Sequence, residues 1–192
     1  MVLTQTADTE IDLIEQAQNG DRNAYGELVR RHYQGVVRVV LRMCADPGLA
    51  EDAAQEAFTR AWLNLPSFEP RACLRNWLYR IAINAALDVL RRKPEESLTD
   101  EQGQMISENA PDPETILIEK EQAMDIQLAL QSLPEAARSA LVLREYGGLS
   151  YQEIAGVLEV PVGTVMSRLN YARTRLREIL MVSHARMENE YA

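Results

Sequence analysis

Apolar residues recur at spacings of three and four along nearly the whole chain, and no long stretch alternates with a two-residue period. This pattern predicts α-helices throughout and therefore an all-α fold. Asn19-Gly20 is a stop signal that ends the first helix. Asp21 and Asp46-Pro47 are capping signals that begin the second and third helices. The helices predicted for this half are 8–18, 22–45, 47–65 and 74–92.

The pattern breaks in the middle of the chain. Residues 94–113 lack apolar periodicity and are rich in acidic residues, Pro and Ser, which is typical of a flexible linker. Helical periodicity returns at Asp112-Pro113 and predicts a helix that reaches Leu133. Pro134 opens another helix, which ends at Gly147-Gly148. The sequence therefore predicts two small helical modules joined by an acidic linker.

The last part of the chain has the pattern of a helix-turn-helix. Ser150 and Glu153 form a capping box, in which each side chain satisfies a backbone donor at a helix start. The short helix ends at Leu158, residues 159–163 form a tight connection, and a longer basic helix runs over 164–182. The residues predicted to pack the two helices together are Ile154, Ala155, Val157, Leu158, Val165 and Leu169. Those predicted to face outward are Ser167, Arg168, Asn170, Tyr171 and Arg175.

The net charge of −9 over 192 residues argues at first against a nucleic-acid partner. Its distribution reverses that conclusion. Residues 1–94 carry 12 basic and 12 acidic side chains, residues 135–192 carry 7 of each, and residues 95–134 carry 1 basic against 10 acidic. Two stretches are locally basic: 71–93 has six basic residues and one acid, and 164–177 has four arginines and no acid. Both ends of the chain can therefore present basic surfaces to DNA.

Metal, cofactor and membrane functions find no support in the sequence. The two cysteines, Cys44 and Cys73, are too few for a disulfide scaffold, and His32 and His184 lie far apart, so no cluster has metal-ligand spacing. We expect no metal, no cofactor, no catalytic residues and reduced thiols. No targeting sequence and no apolar run of membrane-spanning length is present, which predicts a soluble, cytoplasmic protein without membrane insertion.

Five motifs, in this order, resemble those of an extracytoplasmic-function sigma factor, a compact specificity subunit of bacterial RNA polymerase. The resemblance covers about residues 11–180. Its motifs are Asp52–Phe58, Trp77–Asn84, Leu133-Pro134, Gly148–Ala155 and Pro161–Val165.

The resemblance implies three functional segments. Residues 8–94 would bind core polymerase and recognise and melt the minus-ten promoter element, 95–113 would be the acidic linker, and 114–183 would recognise the minus-thirty-five element. The residues implied in polymerase binding are Asp52, Gln55, Glu56 and Phe58. Asp52 and Glu56 are four apart and share a helix face, as a polar docking surface needs, although a solvated face would show the same spacing.

The same resemblance assigns two DNA-binding sets. The implied minus-ten residues are Arg71, Arg75, Asn76, Arg80, Asn84, Asp88, Arg91 and Arg92; Asn84 can pair with a base edge and the arginines suit phosphates. The implied minus-thirty-five residues are Ser150, Tyr151, Thr164, Ser167, Arg168, Asn170, Tyr171, Arg173 and Arg175. Trp77 could stack on a base, but its helical spacing with Leu78 and Ile81 favours the core. Loop 69–74, Met166 and Tyr171 depart from the family pattern, so base preference is not transferable.

The implied partners are core RNA polymerase, promoter DNA and an anti-sigma factor. A 20-residue linker reaches about 66–72 Å when fully extended, and two sites two DNA turns apart are about 68 Å apart, so simultaneous reading requires an extended linker. We hypothesise that linker acids fold back on the basic helices and discourage DNA binding by the free protein. The acids in question are Glu95, Glu96, Asp100, Glu101 and Glu108.

Two other functions account for less of the sequence. A helix-turn-helix regulator that binds DNA without polymerase would explain residues 150–180 but not the motifs at 52–58 and 77–84. A helical carboxylate enzyme using Glu51, Asp52 and Glu56 lacks the Glu-x-x-His pair of a dinuclear metal site.

Overall fold

The protein is all-α in a computed structural model that describes residues 2–69, 73–92 and 123–190, with side chains at 10–69, 73–92 and 123–181. No strand occurs among these residues, so the predicted fold class is confirmed. The helices are α1 (Val2–Gln18), α2 (Arg22–Cys44), α3 (Pro47–Asn64), α4 (Leu74–Arg92), α5 (helical residues 123–131), α6 (Glu135–Glu145), α7 (Tyr151–Leu158) and α8 (Val162–Glu190). A 3₁₀ turn, Leu65–Ser67, follows α3.

The helix ends follow the local signals in the sequence. The Asp21 carboxylate accepts hydrogen bonds from the backbone of Asn23 and Ala24, at 2.8 and 3.2 Å. The Asp46 carboxylate accepts one from Leu49 N at 3.0 Å. Two helices are longer than predicted: α1 begins six residues earlier, and α8 continues to Glu190, since no Pro or Gly interrupts it.

The first module is a bundle of α2, α3 and α4, with α1 packed against α2. One face of α3 is a stripe of small residues that lets its neighbours approach closely; the buried members are Ala50, Ala53, Ala54, Ala57 and Ala61. Gln18 at the end of α1 donates two hydrogen bonds, to Leu65 O at 2.9 Å and Phe68 O at 2.8 Å. These bonds fix the chain that leads from α3 to α4.

The second module forms the predicted helix-turn-helix on α6. Ile154 of α7 and Val165, Leu169 and Ala172 of α8 are buried together against α6. The capping box is confirmed: Ser150 N donates to Glu153 Oε2 at 2.8 Å, and Glu153 N donates to Ser150 Oγ at 3.3 Å. Leu158 is only half-buried, at the edge of the core.

The described parts of the two modules pack against each other in one continuous core. Arg138 of α6 is 8% exposed and donates from Nη1 to Met43 O at 3.0 Å, so it caps the last turn of α2. Tyr79 of α4 lies between two glycines: a Cβ on Gly35 would be 2.9 Å from its Oη, and one on Gly147 would be 3.2 Å from its Cε2. The sequence predicted separate modules and did not reveal this contact. The predicted linker, 94–113, lies outside the described residues.

Candidate nucleic-acid interface

Three arginines of α4, all predicted to bind the minus-ten element, face glutamates of the second module. Arg80 Nη2 is 2.7 Å from Glu159 Oε1 in the turn of the helix-turn-helix. Arg75 Nη2 lies 3.6 Å from Glu153 Oε1, and Arg91 Nη2 lies 3.6 Å from Glu135 Oε2. The basic face of α4 is thus covered at both ends by carboxylates from another part of the chain.

Asn76 joins the same contact through Glu153. Its Nδ2 donates to Glu153 Oε1 at 3.1 Å, while the other carboxylate oxygen of Glu153 accepts from Ser150 N and Ser150 Oγ. The bonds from the Ser150 backbone and hydroxyl, then that from Asn76, and the charge of Arg75 lower the pKa of Glu153 to about 2. Glu153 therefore stays ionised at neutral pH and holds α7 and α4 together.

The remaining minus-ten residues are arranged differently. Asn84 and Arg92 are exposed to solvent. Asp88 is paired within the first module: its Oδ2 is 3.0 Å from Arg60 Nη1 in α3, which ties two helices together. Its contact with DNA stays a prediction. Arg71 lies outside the described residues.

The aromatic residues of α4 pack into the protein. Trp77 contacts Phe68, with ring centroids 4.8 Å apart, which favours the core position inferred from its spacing. Tyr79 is 4% exposed, and burial raises the pKa of its hydroxyl. Neither ring is free to stack on a base in this conformation.

The N-terminal half of α8 presents a mixed polar and apolar face to solvent. The exposed residues predicted to contact DNA are Ser167, Asn170, Tyr171, Arg173 and Arg175, with Thr164 and Arg168 half-buried. Two apolar side chains between them, Val162 and Met166, are 38% and 54% exposed and were not included in the predicted set. Such side chains suit contact with thymine methyl groups.

Two arginines of α8, Arg173 and Arg175, pair with acids of their own module. Arg173 Nη2 is 3.0 Å from Glu145 Oε1, and its Nη1 donates to Tyr151 Oη at 3.4 Å. Arg175 Nη1 is 2.9 Å from Glu178 Oε2 within the same helix. Ser150 uses its hydroxyl in the capping box.

The predicted polymerase-binding face of α3 is solvent-exposed at Asp52, Gln55 and Glu56. Phe58, the remaining member of that set, is 8% exposed and stacks on Tyr33, with centroids 6.1 Å apart and planes at 21°. Its part in polymerase binding stays a prediction. A position two residues beyond Glu56 lies on the opposite side of the helix, so Phe58 belongs to the core.

Arg60 was missed by the sequence analysis although it organises this face. Its guanidinium bridges Glu56 Oε1 at 2.7 Å and Asp88 Oδ2 at 3.0 Å, and the hydrogen bonds to Glu56 and Asp88 raise its pKa. The spacing of Glu56 and Arg60 by four residues was the available signal.

The sigma-70 region 2 family matches residues 28–95, and the sigma-70 region 4 family matches residues 123–176. The chain is 37% identical over 188 residues to the RNA polymerase sigma-H factor of Pseudomonas aeruginosa, covering 93% of this chain and 96% of that relative. It is 38% identical over 175 residues to the ECF RNA polymerase sigma-E factor of Escherichia coli, covering 86% of this chain and 91% of that relative. The chain therefore belongs to the extracytoplasmic-function (ECF) family of RNA polymerase sigma factors.

Two solved structures share the fold. One is CnrH in complex with the cytosolic domain of CnrY, with a TM-score of 0.70, 26% identity, and coverage of 91% of this chain and 98% of that one. The other is the sigma factor RpoE of Bartonella quintana in complex with the anti-sigma factor NepR. Its TM-score is 0.65, its sequence identity is 24%, and the match covers 82% of this chain and 97% of that one. Within the described residues, no helix has the length and hydropathy needed to cross a membrane.

Proposed function

We propose that this chain binds bacterial core RNA polymerase and directs transcription to promoters that carry minus-ten and minus-thirty-five elements. The observation that carries the proposal is the order of a region 2 bundle followed by a region 4 helix-turn-helix, each with a basic helix. The curated relatives are named as RNA polymerase sigma factors. In this role the chain supplies specificity, and core polymerase supplies the chemistry.

Each surface has an expected role. The exposed face of α3, with Asp52, Gln55 and Glu56, would dock on core polymerase. The α4 residues, with Asn84 for a base edge and the arginines for phosphates, would hold the minus-ten strand. The exposed end of α8 would enter the major groove of the minus-thirty-five element.

This role requires the two modules to separate. Two elements two helical turns apart on DNA are about 68 Å apart, whereas α4 and α7 are in direct contact here. The contacts of Glu153 and Glu159 with α4 must therefore break before both elements are read at once. We propose that core polymerase drives this separation.

An anti-sigma factor is the further partner that we propose. Two similar structures are described as a complex with the cytosolic domain of CnrY and a complex with the anti-sigma factor NepR. Co-purification with the membrane or soluble products of neighbouring genes would identify such a partner.

The decisive test combines core binding with run-off transcription over a promoter library. We expect the chain to co-elute with core polymerase and to select start sites. Arg168→Ala should weaken use of the upstream element by about 1–3 kcal/mol if this side chain reads a base. Arg177→Ala is the matched control, because nine residues place Arg177 on the opposite side of α8.

One outcome contradicts the proposed function, and another contradicts the role of Arg168. Failure to bind core polymerase, with retained binding to duplex DNA, would favour the stand-alone helix-turn-helix regulator. Equal losses in the two variants would remove Arg168 from the DNA-reading surface.

A further inference from the structure

Each of three α4 arginines meets a glutamate from a different element of the second module. We infer that these glutamates form an intramolecular substitute for DNA phosphates, which closes the free protein and blocks its minus-ten surface. The pairs are Arg75–Glu153, Arg80–Glu159 and Arg91–Glu135. The inference rests on the proposed function, because it takes α4 as a DNA-binding helix.

The chemistry of the contact matches that of a phosphate backbone. Arginine pairs carboxylates and phosphates through the same guanidinium donors, so one ligand excludes the other. The acids come from the start of α6, from α7 and from the turn before α8, yet they meet one helix. A neutral module, with seven acids and seven bases over 135–192, thus presents a local acidic row to α4.

Glu159 gives an independent sign that this contact is selected. Its backbone has φ 52° and ψ 46°, the left-handed conformation in which glycine is favoured over residues with a Cβ. Glycine in the turn would remove the strain but would also remove the carboxylate that lies 2.7 Å from Arg80. Backbone bonds from Glu159 N and Val160 N to Ala155 O hold this left-handed turn, so the glutamate side chain is not needed to form it. A residue with a Cβ at such a position points to a function for its side chain.

The closed contact also reaches the start of α7. Asn76 of α4 bonds Glu153, which lies three residues after Ser150 at the start of α7. Ser150 and Tyr151 are themselves predicted to contact the minus-thirty-five element. The closed form therefore places Glu153 of α7 beside α4, while Ser150 itself stays exposed.

The ion pairs that close the molecule are sensitive to salt. Their side chains are 35–65% exposed, so their attraction is screened and a nucleic acid or polymerase can displace them. The linker acids proposed from the sequence lie outside the described residues, and their role stays a prediction. The described contacts point to acids of the second module.

The test uses the full chain and two variants, Glu159→Gly with Glu135→Gln and Glu159→Gln with Glu135→Gln. Glycine at position 159 relieves the backbone strain of the turn, whereas glutamine retains a side chain and the strain. An effect shared by both variants therefore cannot come from misfolding of the turn. Asp12→Asn with Glu15→Gln is the control: it removes the same charge from the exposed side of α1, which packs on α2 and the 3₁₀ turn.

Two quantities are measured at 50 mM NaCl. The first is the radius of gyration by small-angle X-ray scattering, which we expect to rise in both variants and to stay unchanged in the control. The second is the Kd for a 20-nucleotide fluorescein-labelled single-stranded DNA of mixed sequence, by anisotropy. We expect it to fall about twofold to tenfold relative to the control, the range for two exposed ion pairs.

At 500 mM NaCl the radius of gyration of the wild-type protein should approach that of the variants. At 200 mM NaCl its Kd should approach theirs, each Kd being expressed relative to that of the control at the same salt concentration. An unchanged radius of gyration in both variants, or Kd values equal to the control, would overturn the inference. Failure of the proposed function would show instead as absence of core binding by the wild-type chain. The scattering result is independent of that outcome.

Discussion

The two basic helices of this protein hold their arginines in opposite ways. On α4, Arg75, Arg80 and Arg91 face acids of the other module. On α8, Arg173 and Arg175 pair with acids of their own module and remain on a surface open to solvent. Local sequence charge is similar in the two helices. What differs is where the acids come from, and in the closed form that we propose this leaves α8, but not α4, open to DNA.

The comparison also separates two kinds of interaction. The exposed pairs on either helix are each worth about 0.2–1 kcal/mol. Two other contacts between the modules are buried: Tyr79 of α4 lies between glycines of both modules, and Arg138 caps α2. Buried packing therefore holds the modules near each other, and the exposed pairs set the balance between closed and open forms.

The largest effect on stability should come from a substitution in the buried core of the first module. Phe58→Ala removes a buried ring from the α2–α3 contact and should lower the free energy of unfolding by about 3–5 kcal/mol in urea. Asp52→Ala, on the exposed face of the same helix, should change it by less than about 0.5 kcal/mol and should reduce core binding instead. Equal stability of the two variants would return Phe58 to the docking surface.

The next largest effect should come from the buried contact that joins the modules. Arg138→Met removes hydrogen bonds to Met43 O, Gln131 O and Leu133 O, and we expect a loss of about 2–3 kcal/mol in urea unfolding. Arg177→Met, on the exposed surface of α8, should be nearly silent. If both variants unfold alike, the Arg138 network contributes nothing to the closed form.

The smallest effect should be the opening of the closed form at low pH. The folded pKa of Glu153, about 2, lies below its ordinary value of 4.5, so its stabilising effect is complete above pH 4.5 and is lost as the pH falls toward 2. The radius of gyration should rise over this range. Glu153→Gln keeps a capping-box residue but has no such titration, so its closed fraction should depend less on pH between 4.5 and 2. A parallel pH dependence in both proteins would assign the transition to other carboxylates.

Local features of the fold were predictable because they depend on neighbours in sequence. The caps at Asp21 and Asp46, and the Ser150–Glu153 capping box, each rest on contacts within three residues. The exposed set on α8 followed from its periodicity. The resemblance supplied the order of the two modules.

Features that depend on distant contacts were not predictable. Nothing in the local pattern shows that Glu159 meets Arg80, or that Asp88 is held by Arg60. Phe58 was placed on the docking face by resemblance, although its angular position on α3 relative to Glu56 already indicated the core. Base preference of α8 depends on the DNA that it meets.

The cap of α2 by Arg138 has a consequence for work on separated fragments. The carbonyl of Met43 ends a helix of the first module, but its donors, Gln131 Nε2 and Arg138 Nη1, lie 88 and 95 residues further along the chain. A fragment that stops after α4 keeps every helix of the first bundle and still lacks both groups that complete one of them. Its last turn, 41–44, would exchange amide protons faster than in the whole chain. A fragment boundary drawn between the modules therefore does not yield a native half.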